Sequence, residues 1–207
     1  MKMEVVRLSE NAMLFRGGRI LNRLRPFPGL IEVVPAYDSF AVFFDLAVCT
    51  ADQVKEEVAL QVAEMVGERS LEEGKIVDIE VVYDGPDLTE VAQLIGLTVE
   101  EVIALHSGQV YEVVTVGFVP GFPFLRGLPE RLAIPRRAEP RKVVPAGSVG
   151  IAGGQTGIYP SATPGGWHLI GRTDARLYDA GREAPSLLVA GDRVRFVPVA
   201  AVGGARR

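Results

Sequence analysis

The residues best suited to chemistry crowd into residues 146–173, AGSVGIAGGQTGIYPSATPGGWHLIGRT. Eight of these 28 residues are glycine. Among them stand Gln155, Thr156, Tyr159, the chain's only tryptophan (Trp167), one of its two histidines (His168) and Arg172. Glycine at this density gives up conformational entropy, which is tolerated where the backbone needs positive φ or close approach to a ligand or another chain. Gly153, Gly154 and Gly157, around Gln155 and Thr156, could hold an anion through backbone N–H groups arranged as a nest. Arg172 would add a planar charged fork that matches carboxylate or phosphate. Gln155 could orient an amide or carboxylate, with Tyr159 and Trp167 as pocket walls. The structural alternative is a β-barrel corner, where Gly and Pro make the turns and the tryptophan fills core. For Arg172 that alternative is a surface arginine, or one paired with Asp174.

Two further groups flank this stretch. Residues 117–122, GFVPGF, join Phe118 and Phe122 through a turn, either as an apolar pocket wall or as a barrel corner closed by aromatics. Arg126, Arg131, Arg136, Arg137, Arg141 and Lys142 form a basic run. It suits a solvated face, steering of an anionic substrate, or contact with an acidic partner protein. The sequence holds no GxxxxGK[ST], HExxH, CxxC or GxSxG motif, and nothing orders its Ser, His and Asp residues into a triad. No catalytic residue or metal ligand is assigned. Cys49 is the single cysteine, which excludes an intrachain disulfide and a multi-cysteine metal site.

The elements that must position these residues change character midway. Residues 12–16, 30–36 and 40–46 read as strands, the last two joined through Tyr37, Asp38 and Ser39; residues 18–25 could form two helical turns before Pro26. A helix over 51–66 starts at a Thr50/Gln53 capping box, with Val54, Val58, Val62 and Met65 as its apolar stripe. Residues 75–84 form the next strand, and the order is that of a ferredoxin-like α+β unit. Two short helices follow. Capping boxes Asp87/Glu90 and Thr98/Glu101 start them, and Gly96 and Gly108 end them. His106 lies in the last turn of the second, where an imidazolium would favour the helix dipole. From residue 109 short strands alternate with turns, which reads as a β-barrel.

With 207 residues, 48% of them hydrophobic, the chain has room for one domain or two small ones. The N-terminal MKMEVVRLSENAM lacks the apolar core of a secretion signal, and the most apolar run, 40–49, is broken by Asp45 and too short to span a bilayer. A cytoplasmic protein without membrane contact is expected. Residues 1–108 carry net charge −10 and residues 109–207 carry +6. No recognition helix or aromatic RNA-binding pattern accompanies the basic half, so nucleic acid is not an expected partner.

Four ordered blocks carry a resemblance: GFVPGFPFLRGLPERLAIPRR (117–137), RKVVPAGSVGIAGGQTGIYP (141–160), PGGWHLIGRT (164–173) and GDRVRFVPV (191–199). They resemble the signature of the allophanate hydrolase subunit 1 or KipI-like family, which includes the B subunits of bacterial ATP-dependent 5-oxoprolinases. The resemblance implies a ferredoxin-like domain over 1–84, a helical connector over 85–108 and an all-β cyclophilin-like barrel over 109–207. Family members carry a longer first helix than the stretch between Gly17 and Pro28 allows.

The implied activity is conversion of 5-oxo-L-proline to L-glutamate with ATP hydrolysis. It implies an allophanate hydrolase subunit 2-like partner (the C subunit of a 5-oxoprolinase) and a separate A subunit, with ATP and Mg²⁺ shared with the partner. An unstrained lactam is a poor electrophile, and phosphorylating its carbonyl oxygen creates a leaving group. That transfer needs Mg²⁺ and positioned cations more than a nucleophilic side chain. The resemblance also leaves open a KipI-like inhibitor of a sensor histidine kinase, docking through Phe118 and Phe122. One half of a biotin-dependent carboxyltransferase is a further alternative. The family shares a His in the setting of His106. It often carries Gln at the position of His168, so a general base there is not required.

Overall fold

The computed structural model describes residues 3–17, 24–36, 39–67 and 74–200. The expected helical turns at 18–25 fall largely outside this set, as do Tyr37 and Asp38 of the expected turn. The chain divides into two compact units, residues 1–73 and 74–207. Among the described residues, no helix is long and apolar enough to cross a membrane.

The first unit is a four-stranded antiparallel sheet with one helix. Its strands are β1 (Glu4–Ser9), β2 (Ala12–Arg16), β3 (Leu30–Pro35) and β4 (Ser39–Phe44), in the order β1-β2-β4-β3. Alternation along β4 sends Phe40, Val42 and Phe44 to one face, where Phe15 and Phe40 stack at 5.0 Å. Helix α1 (Ala51–Gly67) belongs to this core through Val54 and Val58. Its expected capping box forms: Thr50 N–H donates to Gln53 Oε1 at 2.9 Å, and Gln53 N–H to Thr50 Oγ1 at 3.3 Å.

The second unit is built on a seven-stranded sheet. Its elements in chain order are β5 (Ile76–Val81), α2 (Leu88–Ile95), α3 (Val99–Ser107), β6 (Val110–Val116) and β7 (Pro123–Arg126). They continue through β8 (Arg141–Val144), β9 (Ser148–Ala152), β10 (Gln155–Ile158), β11 (Thr163–Gly165), β12 (His168–Arg172) and β13 (Arg193–Pro198). The sheet order is β12-β9-β10-β7-β6-β13-β5, with β5 parallel to β13, and β8 and β11 form a separate pair. The two ends of this order meet. Val82 and Arg172 exchange two backbone hydrogen bonds of 2.9 Å, and Gly85 and Asp87 donate onward to Ile170 and Leu169. The sheet therefore curls back on itself, and its two ends are tied where the chain leaves β5. Gly85 is required here, since a Cβ would collide with the backbone of Leu169 and Ile170.

Two sequence expectations change. The strand expected to complete the first unit, β5, lies in the second, because Ile79 and Val81 bury into the core of the curled sheet. The boundary thus falls after Glu73, ahead of the expected one at residue 84. The helices expected as a connector, α2 and α3, contribute Leu88, Val91, Ala92 and Val102 to that same core. The molecule is mostly β, with three α-helices among the described residues.

Candidate functional site

The stretch singled out by sequence folds as a tight hairpin. Gln155 pairs with Ala152, so Gly153 and Gly154 form a two-residue loop between β9 and β10. Gly153 has φ 57°, and both glycines have open space where a Cβ would point. The Gly153 N–H donates to the Ile134 carbonyl at 2.6 Å, so it is already engaged and does not meet an anion. Thr156 is fully buried, and its hydroxyl donates to the Gly150 carbonyl at 3.0 Å.

Gln155 and Arg172 were expected to converge, and the register separates them. Gln155 sits opposite Ala152 at one end of β9, and Arg172 opposite Ser148 at the other. Four strand residues correspond to about 13 Å along the strand. Arg172 pairs instead with Asp84 at 2.9 Å, with both side chains nearly half exposed, rather than with Asp174.

Phe122, Tyr159 and Trp167 do come together, as a packed core rather than an open wall. Their ring centroids lie 5.1 to 6.5 Å apart in edge-to-face contacts. Gly157 makes that packing possible, since a Cβ there would stand 3.0 Å from Trp167 and 3.1 Å from Phe122. Phe118 differs. It is 63% exposed, holds φ 72°, and meets Phe122 edge-on at 5.6 Å. A bulky residue in the left-handed region is uncommon and stores strain of about 1–2 kcal/mol.

His106 is fully buried at the centre of a hydrogen-bonded chain. Nδ1 lies 2.7 Å from the Tyr83 hydroxyl and Nε2 2.9 Å from Thr156 Oγ1, and the ring stacks on Phe196. Thr156 gives its proton to Gly150, so it accepts from His106 Nε2–H, and Tyr83 must donate to Nδ1. Desolvation lowers the imidazole to about 3 and pushes the Tyr83 phenol up. His106 is thus a neutral structural link from α3 to β10, not a charged partner of the helix dipole.

A cleft of about 560 Å³ opens beside β12, lined by Glu90, Leu94, Ile134, Arg136, Arg137 and His168 among others. Behind it Asp87, 3% exposed, holds Arg137 of its lining. Oδ1 accepts from Arg137 Nη1 at 3.0 Å and Arg141 Nη2 at 2.6 Å, and Oδ2 accepts the Leu169 N–H at 2.7 Å. Glu90 also pairs with Arg137, at 3.2 Å. The expected Asp87/Glu90 capping box is therefore absent, because both carboxylates serve the arginines and Asp87 makes no side-chain cap. The Thr98/Glu101 box forms as expected. His168 Nε2 donates to the Pro135 carbonyl at 3.1 Å, while its Nδ1 has no partner. Sequence reading missed Asp87 as an ion-pair anchor; the short spacing of Arg137 and Arg141 in the basic run was the signal that pointed to it.

The Gly153 amide and the side chains of Arg137 and Arg141 do not stand free for a phosphate. The hairpin amide is engaged, the two arginines are neutralised by Asp87 and Glu90, and no group of three His, Cys, Asp or Glu among the described residues could hold a metal ion.

The match to the carboxyltransferase domain, subdomain C and D, runs over residues 5–188, and the chain belongs to this family. It is similar to the B subunit of 5-oxoprolinase from Bacillus subtilis, 41% identical over 95% of this chain and 92% of that protein. It is 46% identical to the B subunit of 5-oxoprolinase from Escherichia coli O157:H7, over 87% of this chain and 83% of that one. The solved structure of TTHA0988 superposes with TM-score 0.75 at 39% identity, covering 91% of this chain. This chain spans about 40% of that longer one. The family read from the four sequence blocks is the family found.

Proposed function

We propose that this chain is the B-type subunit of an ATP-dependent 5-oxoprolinase, converting 5-oxo-L-proline to L-glutamate together with an allophanate hydrolase subunit 2-like partner and a separate A subunit. The carrying observation is its similarity to three proteins named as B subunits of 5-oxoprolinase, at 41–46% identity over 79–92% of their lengths. In this reading the first unit is a ferredoxin-like variant, the second a cyclophilin-like barrel, and the protein works in the cytoplasm. ATP and Mg²⁺ would be shared with the partner, since the Gly153 amide and the Arg137 and Arg141 side chains are already engaged within this chain. Gln155 at the hairpin tip and Arg172 at the far end of β9 would make separate contacts with substrate or partner. The exposed Phe118 supports protein docking, and so favours a KipI-like kinase inhibitor as the second reading.

The test is ATP hydrolysis with and without 5-oxoproline, for this chain alone and for the chain co-purified with its partner. Stimulation by 5-oxoproline in the pair alone is expected. A stable pair indifferent to 5-oxoproline would overturn the substrate, and failure to pair would move the reading to the regulator.

A further inference from the structure

The cleft beside His168 holds hydrogen-bonding capacity that the protein does not use. With Nε2–H engaged by Pro135, the tautomer this bond selects carries its lone pair on Nδ1, which nothing meets. Arg137 Nε and Arg141 Nη1 are likewise buried without an acceptor. These groups cluster because Asp87 gathers them: one oxygen takes both arginines, and the other takes the N–H of Leu169, the residue after His168. Burying polar groups without partners is uncommon, and two on residues that line one cleft, His168 and Arg137, mark a place where a ligand supplies them.

Charge narrows the ligand. Asp87 and Glu90 already balance Arg137 and Arg141, so the surplus that a phosphate group demands is missing. What remains on the lining residues is the Arg137 Nε–H donor and the His168 ring-nitrogen acceptor, the complement of an amide with its accepting carbonyl and donating N–H. Arg136 lines the same cleft and can meet one carboxylate on the same molecule.

We infer that this cleft binds a small amide or lactam, its carbonyl on the side of Arg137 and its N–H on Nδ1 of His168. The open atoms are shielded from solvent, so side chains shift as the ligand seats. The inference deepens the proposed function by placing the lactam, and it rests on that reading for the choice of 5-oxoproline as a probe.

The test is ¹⁵N NMR of the imidazole rings in the full chain, titrated separately with 2-pyrrolidinone, 5-oxoproline and acetate. Both lactams should move the His168 Nδ1 resonance, acetate should not, and buried His106 should stay fixed as an internal control. His168→Phe should weaken lactam binding by about tenfold, the effect of losing one hydrogen bond. His168→Gln, which keeps an acceptor, should restore most of it. No response of His168 to saturating lactam, or an equal response to acetate, overturns the site. The outcome separates from that of the ATP assay. A 5-oxoproline-stimulated pair with silent His168 sinks the cleft and spares the function. A responsive His168 in an unstimulated pair does the reverse.

Discussion

The Asp87 carboxylate accepts the backbone N–H of Leu169, 82 residues further along the chain, at 2.7 Å. Its other oxygen receives Arg137 and Arg141, so one buried side chain joins the start of α2, strand β12, the first residue of β8 and the segment before it. A buried carboxylate is costly to desolvate and is retained only when fully paired.

Removing that charge should be expensive. Asp87→Asn keeps an acceptor for Leu169 but leaves two partly buried arginines facing a neutral amide. A loss of about 3–5 kcal/mol is expected, as for a broken buried ion pair. Urea unfolding of the variant against wild type measures it, and Asp87→Ala should be worse because the Leu169 N–H is then also orphaned.

Acid should weaken the fold through His106. In the unfolded chain the imidazole titrates near 6.5, whereas burial holds it to about 3 in the folded state. Between these values the unfolded chain binds a proton that the folded chain refuses. Stability therefore falls as pH drops from about 6.5 towards 3, by about 1.4 kcal/mol per pH unit from this group. Urea midpoints of wild type and His106→Gln at pH 7, 6 and 5 test it: the wild-type decline should be steeper by one proton.

Arg172→Ala should barely disturb folding. Its pair with Asp84 is nearly half exposed on both sides, and such pairs contribute at most about 1 kcal/mol. For a chain of this size that is a melting shift of about 2–4 °C. With folding spared, the turnover of the variant in the co-purified pair reports on substrate or partner contact alone.

Local signals were the legible ones. The Thr50/Gln53 and Thr98/Glu101 boxes and the strand at β4 are written in neighbouring residues, and they form as read. What escaped depends on distant partners. Nothing within 75–84 says that β5 will run parallel to β13 rather than complete the first unit. The Asp87 cap looked complete from Glu90 alone, until Arg137 and Arg141 claimed both carboxylates. The meeting of Gln155 with Arg172 failed for a related reason. A glycine-rich stretch specifies turns, but the register along β9 decides which side chains share an end.

Gly157 gives the sharpest test of how the aromatic cluster is accommodated against the backbone. It lies in β10 under Phe122 and Trp167, and a methyl group there would also stand 2.8 Å from the Pro123 carbonyl. Backbone cannot retreat as a flexible side chain can, and the two rings are already locked edge to face at 5.5 Å. Gly157→Ala should therefore cost about 1–3 kcal/mol by overpacking, despite alanine's lower backbone entropy cost. Nearby Gly154→Ala, with open space around its Cβ position, is the control and should stay within about 0.5 kcal/mol. Paired thermal melts decide it, read by the fluorescence of the single tryptophan, which sits in the packing being tested. Equal melting of the two variants would mean that the aromatic cluster yields more easily than its contacts imply.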